Sequence, residues 1–126
     1  MTTMVCFRSA GVAYCLPVAA ARAVRPALGL VSLPAGRPDV TGLMPGDPPL
    51  SVISVLGPGG RQVLVVEAGG KKFGLLVDLV SGLRRIEEAD IRPAPDGQAR
   101  PLVSGTVDTE DGLILVTDPV ALAERL

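Results

Sequence analysis

The 126-residue sequence predicts an all-β protein assembled from two similar halves. Three observations carry that expectation. Turn signals rich in Gly, Pro, Asp and Ser recur about every ten residues, a spacing that suits barrels or a sandwich rather than a layered α/β enzyme. Between them lie short apolar runs with the length and composition of strands. The chain also repeats itself, in order, along nearly all of its length.

The elements follow in chain order. Met4 to Arg8 and Val12 to Leu16 are apolar runs facing each other across Ser9-Ala10-Gly11, a predicted hairpin. Val18 to Val24 is Ala-rich and follows Pro17, which predicts two turns of helix. Leu50 to Val55 alternates apolar residues with Ser, the period of a half-buried strand. Gly57-Pro58-Gly59-Gly60 reads as a linker; no Lys-Ser/Thr follows it, so it is not a phosphate cradle. Val63 to Glu67 and Lys72 to Val77 form a second hairpin across Ala68-Gly69-Gly70. Glu87 to Asp90 reads as a charged turn. Val103 to Val107 and Leu113 to Thr117 meet across Thr109-Glu110-Asp111-Gly112, where Asp-Gly tolerates the positive φ of a twisted hairpin. Pro119 to Leu126 opens on a proline suited to a first helical turn and predicts a closing helix. Arg-Pro pairs at 25–26, 37–38, 92–93 and 100–101 force extended or turn geometry.

The repeat has two blocks. A slide of 59 positions lays VCFRSAGVAYCLPV (5–18) over LVVEAGGKKFGLLV (64–77), with Gly11 on Gly70, Tyr14 on Phe73 and Leu16 on Leu75. A slide of 63 lays RPDVTGLM (37–44) over RPLVSGTV (100–107), with Gly42 on Gly105. Carried on, it puts Leu50, Val52 and Ile53 over Leu113, Leu115 and Val116. We therefore expect one domain over 1–126 with subdomains at about 1–58 and 61–126. Halves of roughly sixty residues bury little surface alone, so they should pack on a shared core. Apolar residues make up 48% of the chain and aromatics only 2%, so that core is aliphatic.

Charge and composition exclude several classes. Twelve basic and thirteen acidic residues leave a net charge of −1, with no basic field for a nucleic-acid backbone. No window approaches the length of an apolar membrane span, and a cytoplasmic protein is expected. Residues 1–60 hold only four Arg and two Asp. That sparse charge fits either a well-buried half or an exposed apolar patch kept for a partner.

The chain has no histidine, which removes the commonest general base and metal ligand. Cys6 and Cys15 flank the first turn and should lie close together as reduced thiols. Asp108, Glu110 and Asp111 cluster in a turn and read as a solvated turn before a cation site. Lys71-Lys72 and Arg84-Arg85 read as solvated faces. No catalytic constellation, cofactor or metal is expected. The leading class is a protein-interaction adaptor. The alternative, a small-ligand-binding β-barrel, needs a concave pocket with convergent polar groups.

Four stretches carry a resemblance: Tyr14 to Val18, Arg37 to Gly42, Gly74 to Gly82 and Ile91 to Pro95. Together they resemble the CheW-like domain, the fold of chemotaxis coupling proteins and of the regulatory domain at the C-terminus of the kinase CheA. The resemblance spans residues 4–122. It implies two SH3-like five-stranded β-barrels packed across an apolar core, with short helices after the first hairpin and at the C-terminus. It implies a non-enzymatic adaptor that joins a chemoreceptor cytoplasmic tip to a CheA-like histidine kinase regulatory domain, or serves another signalling pathway. It also implies a receptor groove between the subdomains, lined by Val24, Ala27, Val80 and Leu83. The family follows the glycine matching Gly42 with an Asn-Leu-Arg-Gly turn, whereas this chain has Pro45-Gly46-Asp47-Pro48-Pro49, with Asp47 nearest the arginine's place. The aspartate usual after the matching strand is Ser54. The resemblance thus marks Pro45, Gly46, Asp47 and Pro48 as an altered partner-selecting turn.

Overall fold

Two hairpins, one opening each half of the chain, set the architecture. The computed structural model describes residues 1–32, 39–57, 60–93 and 102–126. The strands are β1 (Thr2–Ser9), β2 (Val12–Pro17), β3 (Ala21–Pro26), β4 (Val31–Ser32), β5 (Val40–Met44) and β6 (Leu50–Ile53). They continue as β7 (Gln62–Ala68), β8 (Lys71–Val77), β9 (Leu79–Ile86), β10 (Arg92–Pro93), β11 (Val103–Thr109) and β12 (Gly112–Thr117). Helix is scarce among the described residues: α1 (Pro119–Ala123) and two 3-10 turns at Val18–Ala20 and Glu88–Asp90.

The strands form two six-stranded sheets, in the orders β10-β11-β12-β2-β1-β9 and β3-β7-β8-β6-β5-β4. Each order is the other with every strand replaced by its repeat copy. The division differs from the expected one. The sheets do not separate residues 1–58 from 61–126, because each half lends its first hairpin to the sheet of the other. Hairpin β1–β2 pairs with β9 and β12, and hairpin β7–β8 pairs with β3 and β6. A two-stranded hairpin has two outer edges to satisfy, and the exchange gives both a partner. The two-residue strands β4 and β10 bring each sheet to six strands where five were expected.

Register bears out the first block of the repeat. Cys6 faces Cys15 and Phe7 faces Tyr14; 59 residues on, Val65 faces Gly74 and Val66 faces Phe73. In the second block the slide of 63 holds as far as β11 and then becomes 64. Gly42 pairs with Val52, and Gly105 pairs with Val116. The cause is the segment between the paired residues Val107 and Ile114, which is one residue longer than the segment between the paired residues Met44 and Leu50. Leu50, Val52 and Ile53 therefore correspond to Ile114, Val116 and Thr117.

Alternation explains why the exchanged hairpins are apolar almost throughout. One face of each meets the other sheet: Val5, Phe7, Tyr14 and Leu16 pack with Leu64, Val66, Phe73, Leu75 and Val77 in a single cluster. The opposite faces fill a cluster of their own sheet, Met4 and Cys15 with Ile86, Val107, Ile114 and Val116, and Val63 and Leu76 with Met44 and Val52. Strands buried on both faces lose the polar half of the alternation. Two large aromatics, Phe7 and Tyr14, stack at 5.7 Å on the shared face.

The predicted helix over Val18 to Val24 is one 3-10 turn followed by strand β3. Pairing with β7 prevails over the alanine propensity of the segment. The C-terminal helix forms as expected but stops at Ala123. Its N-terminus is capped by Asp118, whose carboxylate accepts from the Val120 amide at 3.0 Å. Gly57 and Gly60 adopt positive φ; the rest of the expected linker, Pro58-Gly59, lies outside the described residues. So do the Arg-Pro pairs at 37–38 and 100–101.

Candidate functional site

The outermost strands β3 and β9 lie at corresponding edges of the two sheets. Among the described residues each is attached by one ladder, β3 to β7 and β9 to β1. Both ladders carry a bulge at the same repeat position, leaving Arg22 unpaired in β3 and Ser81 unpaired in β9. Bulges of this kind twist an edge and discourage further strand pairing. Side-chain bonds hold both in place. Ser81 Oγ donates to the Cys6 carbonyl at 3.2 Å, and Arg22 Nη1 donates to the Ala19 carbonyl at 2.7 Å.

Between these edges runs an open groove of about 230 Å3. Its walls are Ala21, Ala23 and Val24 from β3 and Val80, Gly82 and Leu83 from β9. Its floor is Val5 and Leu64. The corner leading into β9 is firmly built. The Asp78 amide donates to the Arg8 carbonyl and the Asp78 carboxylate accepts from the Ala10 amide, each at 2.9 Å. The Val80 amide donates to the Gln62 side-chain oxygen at 2.7 Å.

Three of the four expected groove residues meet here. Val24 is 46% and Leu83 67% exposed, and Val80 is half-buried. Large apolar side chains held open on edge strands are the kind of surface a partner covers. Ala27 is not among the lining residues. It is partly buried and packs on the Met44, Val52, Val63 and Leu76 cluster, as its repeat copy Ile86 packs in the core of the other sheet. Sequence reasoning missed Ala21, Ala23 and Gly82. The 59-residue slide held the signal, since Ala21 is the copy of Val80 and Leu83 is the copy of Val24.

The turn Pro45–Pro49 is exposed. Asp47, Pro48 and Pro49 line a separate concavity of about 310 Å3 together with Arg22, Arg25 and Lys72. Asp47 makes no ion pair among the described residues, yet three cations share its surface. Arg22 and Ala23 line both this concavity and the groove, so the two surfaces join across β3.

The other candidate chemistry is occupied or buried. Asp111 pairs with Arg84 at 2.7 Å and Asp108 with Arg92 at 3.8 Å. Among the described residues no group of three or more His, Cys, Asp or Glu side chains converges to hold a metal. Cys6 and Cys15 are directly opposed and unlinked. Burial, with the Cys6 thiol beside it, pushes the Cys15 thiol up to about 12. Burial also raises Cys6, against a smaller pull from Arg84. A thiol held protonated is a poor nucleophile. Among the described residues, no helix is long and apolar enough to cross a membrane.

Comparison with known proteins agrees with this architecture. No curated protein matches the chain. Among solved structures, the scaffolding protein TtCheW from Thermoanaerobacter tengcongensis superposes with a TM-score of 0.82 at 22% sequence identity. The match covers 96% of this chain and 86% of that one, and it speaks to the fold. The family model of the CheW-like domain matches residues 48–126. That span takes in the exchanged hairpin β7–β8, the groove strand β9 and the strands β10 to β12, and the chain belongs to the CheW-like domain family.

Proposed function

We propose that the protein is a non-enzymatic chemotaxis adaptor, working in the cytoplasm, that joins a chemoreceptor tip to a CheA-type histidine kinase. Membership of the CheW-like family supports a scaffold role, and the structural relative is itself named a scaffolding protein. The observation that carries the reading is the groove between β3 and β9. It presents Val24, Val80 and Leu83 to solvent on a framework fixed by backbone ladders. Such a groove suits the apolar stripe of a partner helix. The kinase regulatory domain would use a different face, for which the exposed Pro45–Pro49 turn is the candidate. The reading calls on no cofactor or metal.

The test is calorimetric titration with a receptor-tip fragment and a kinase regulatory domain from the same genome. Val24→Asp and Leu83→Asp should each weaken the receptor fragment by about tenfold or more, since each would place a carboxylate against an apolar helix face. Kinase affinity should hold. Unchanged receptor binding in both variants would remove the groove from the proposal.

A further inference from the structure

The two walls of the groove are copies of each other. Val24 corresponds to Leu83, Ala23 to Gly82 and Ala21 to Val80, while the floor residues Val5 and Leu64 also exchange. The exchange is reciprocal: the pairing of Leu64 with Val24 repeats that of Val5 with Leu83. An operation that swaps the copies both ways is a half-turn. An apolar stripe laid in the groove therefore meets nearly the same surface in either of two poses related by that half-turn. Apolar contact can supply affinity without choosing between them.

Among the residues that line the groove, charge separates one of them from its copy. The bulged residue of β3 is Arg22, and that of β9 is Ser81. Arg22 is the one charged side chain lining the groove among the described residues. Its guanidinium is held from behind: Nη1 donates to the carbonyls of Ala19 at 2.7 Å and Ala21 at 3.5 Å, and Nε to Glu67 at 3.4 Å. Nη2 has no partner among the described residues, and the side chain is 45% exposed. A positioned guanidinium with two unused N–H donors fits a carboxylate.

We infer that Arg22 selects the pose of the partner, an amphipathic helix carrying a carboxylate beside its apolar stripe. The carboxylate sits on Arg22, and the pose that would place it on Ser81 is disfavoured. This rests on the groove reading given above and adds the chemistry that orients the occupant.

The probe is a synthetic 20-residue helical peptide with a Leu/Ala stripe and a single Glu beside one end of it. A nitroxide label sits next to the Glu, and the peptide is titrated into isotope-labelled protein. In the wild type the label should broaden amides of β3 around Arg22 more than those of β9 around Ser81. The exchange variant Arg22→Ser/Ser81→Arg should transfer the broadening to β9. Arg22→Ser alone should equalise the two and weaken binding by up to about fivefold, the range of a half-exposed ion pair. A peptide with Gln for Glu should show no preference. Broadening that stays on β3 in the exchange variant, or is unchanged with the Gln peptide, would overturn the inference while leaving the groove intact. Binding that survives Val24→Asp/Leu83→Asp would remove the groove reading and this inference with it.

Discussion

Cys15 shows how a single residue records the inside of a sheet. Its side chain is fully buried against Met4, Val107 and Val116, at the place where the other sheet has Gly74. An unfolded Cys15 ionises near 9.0, whereas the folded one holds its proton to about 12. Above pH 9 the unfolded state therefore binds fewer protons than the folded state, and stability falls as pH rises through that window. Denaturant midpoints measured from pH 8 to 11 should decline in the wild type, and Cys15→Ala should flatten the decline. Equal slopes in both proteins would assign the effect elsewhere. Asp47 carries a second prediction. Among Arg22, Arg25 and Lys72 it tempers a basic surface, so Asp47→Arg should tighten binding of an acidic kinase face several-fold in a titration. Tight wild-type binding that Asp47→Arg leaves unchanged would show that this turn does not select partners.

At the scale of elements, Gly42 and Gly105 explain how the short strands β4 and β10 close their sheets. A Cβ on Gly42 would collide with the Val31 carbonyl, and one on Gly105 would come within 2.7 Å of the Arg92 carbonyl. Only glycine lets the outer strand lie that close. Gly105→Ala should cost about 1–3 kcal/mol, the usual range for overpacking. In hydrogen exchange the β10–β11 ladder should lose protection while the β1–β2 ladder keeps it. Retained protection at β10 would mean that the edge can shift to accept a methyl. The same scale explains Val18 to Val24, where a single 3-10 turn and a strand stand in place of the expected two turns of helix. Its alanines favour helix, but Val24 is needed opposite Leu64, and ladder bonds across a whole strand outweigh propensities of tenths of a kcal/mol per residue.

For the whole molecule, the hairpin exchange makes the halves interdependent. A fragment of residues 1–58 lacks the β7–β8 partners of β3 and β6, and its β1–β2 hairpin lacks β9 and β12. Each fragment alone should be unfolded by circular dichroism, while an equimolar mixture should recover β structure and a cooperative thermal transition. An independently folded fragment of either half would show that the exchange is dispensable. The repeat itself was legible from glycine and apolar spacing: turn positions such as Gly11 and Gly70, and the strands between them, recur whatever the sheets do with them. The all-β class, the hairpins and the register of the first block were determined by the sequence alone, because alternation and turn chemistry act between neighbours in the chain. Three of the groove residues were named on resemblance, and the repeat would have supplied Ala21. Which hairpin joins which sheet, that Ala27 packs on the Met44 cluster and does not line the groove, and that Asp47 sits among cations were decided only in the tertiary structure. Those depend on pairings between residues tens of positions apart, where apolar strands of nearly equal composition compete. Only the burial of all their faces and edges at once selects one arrangement.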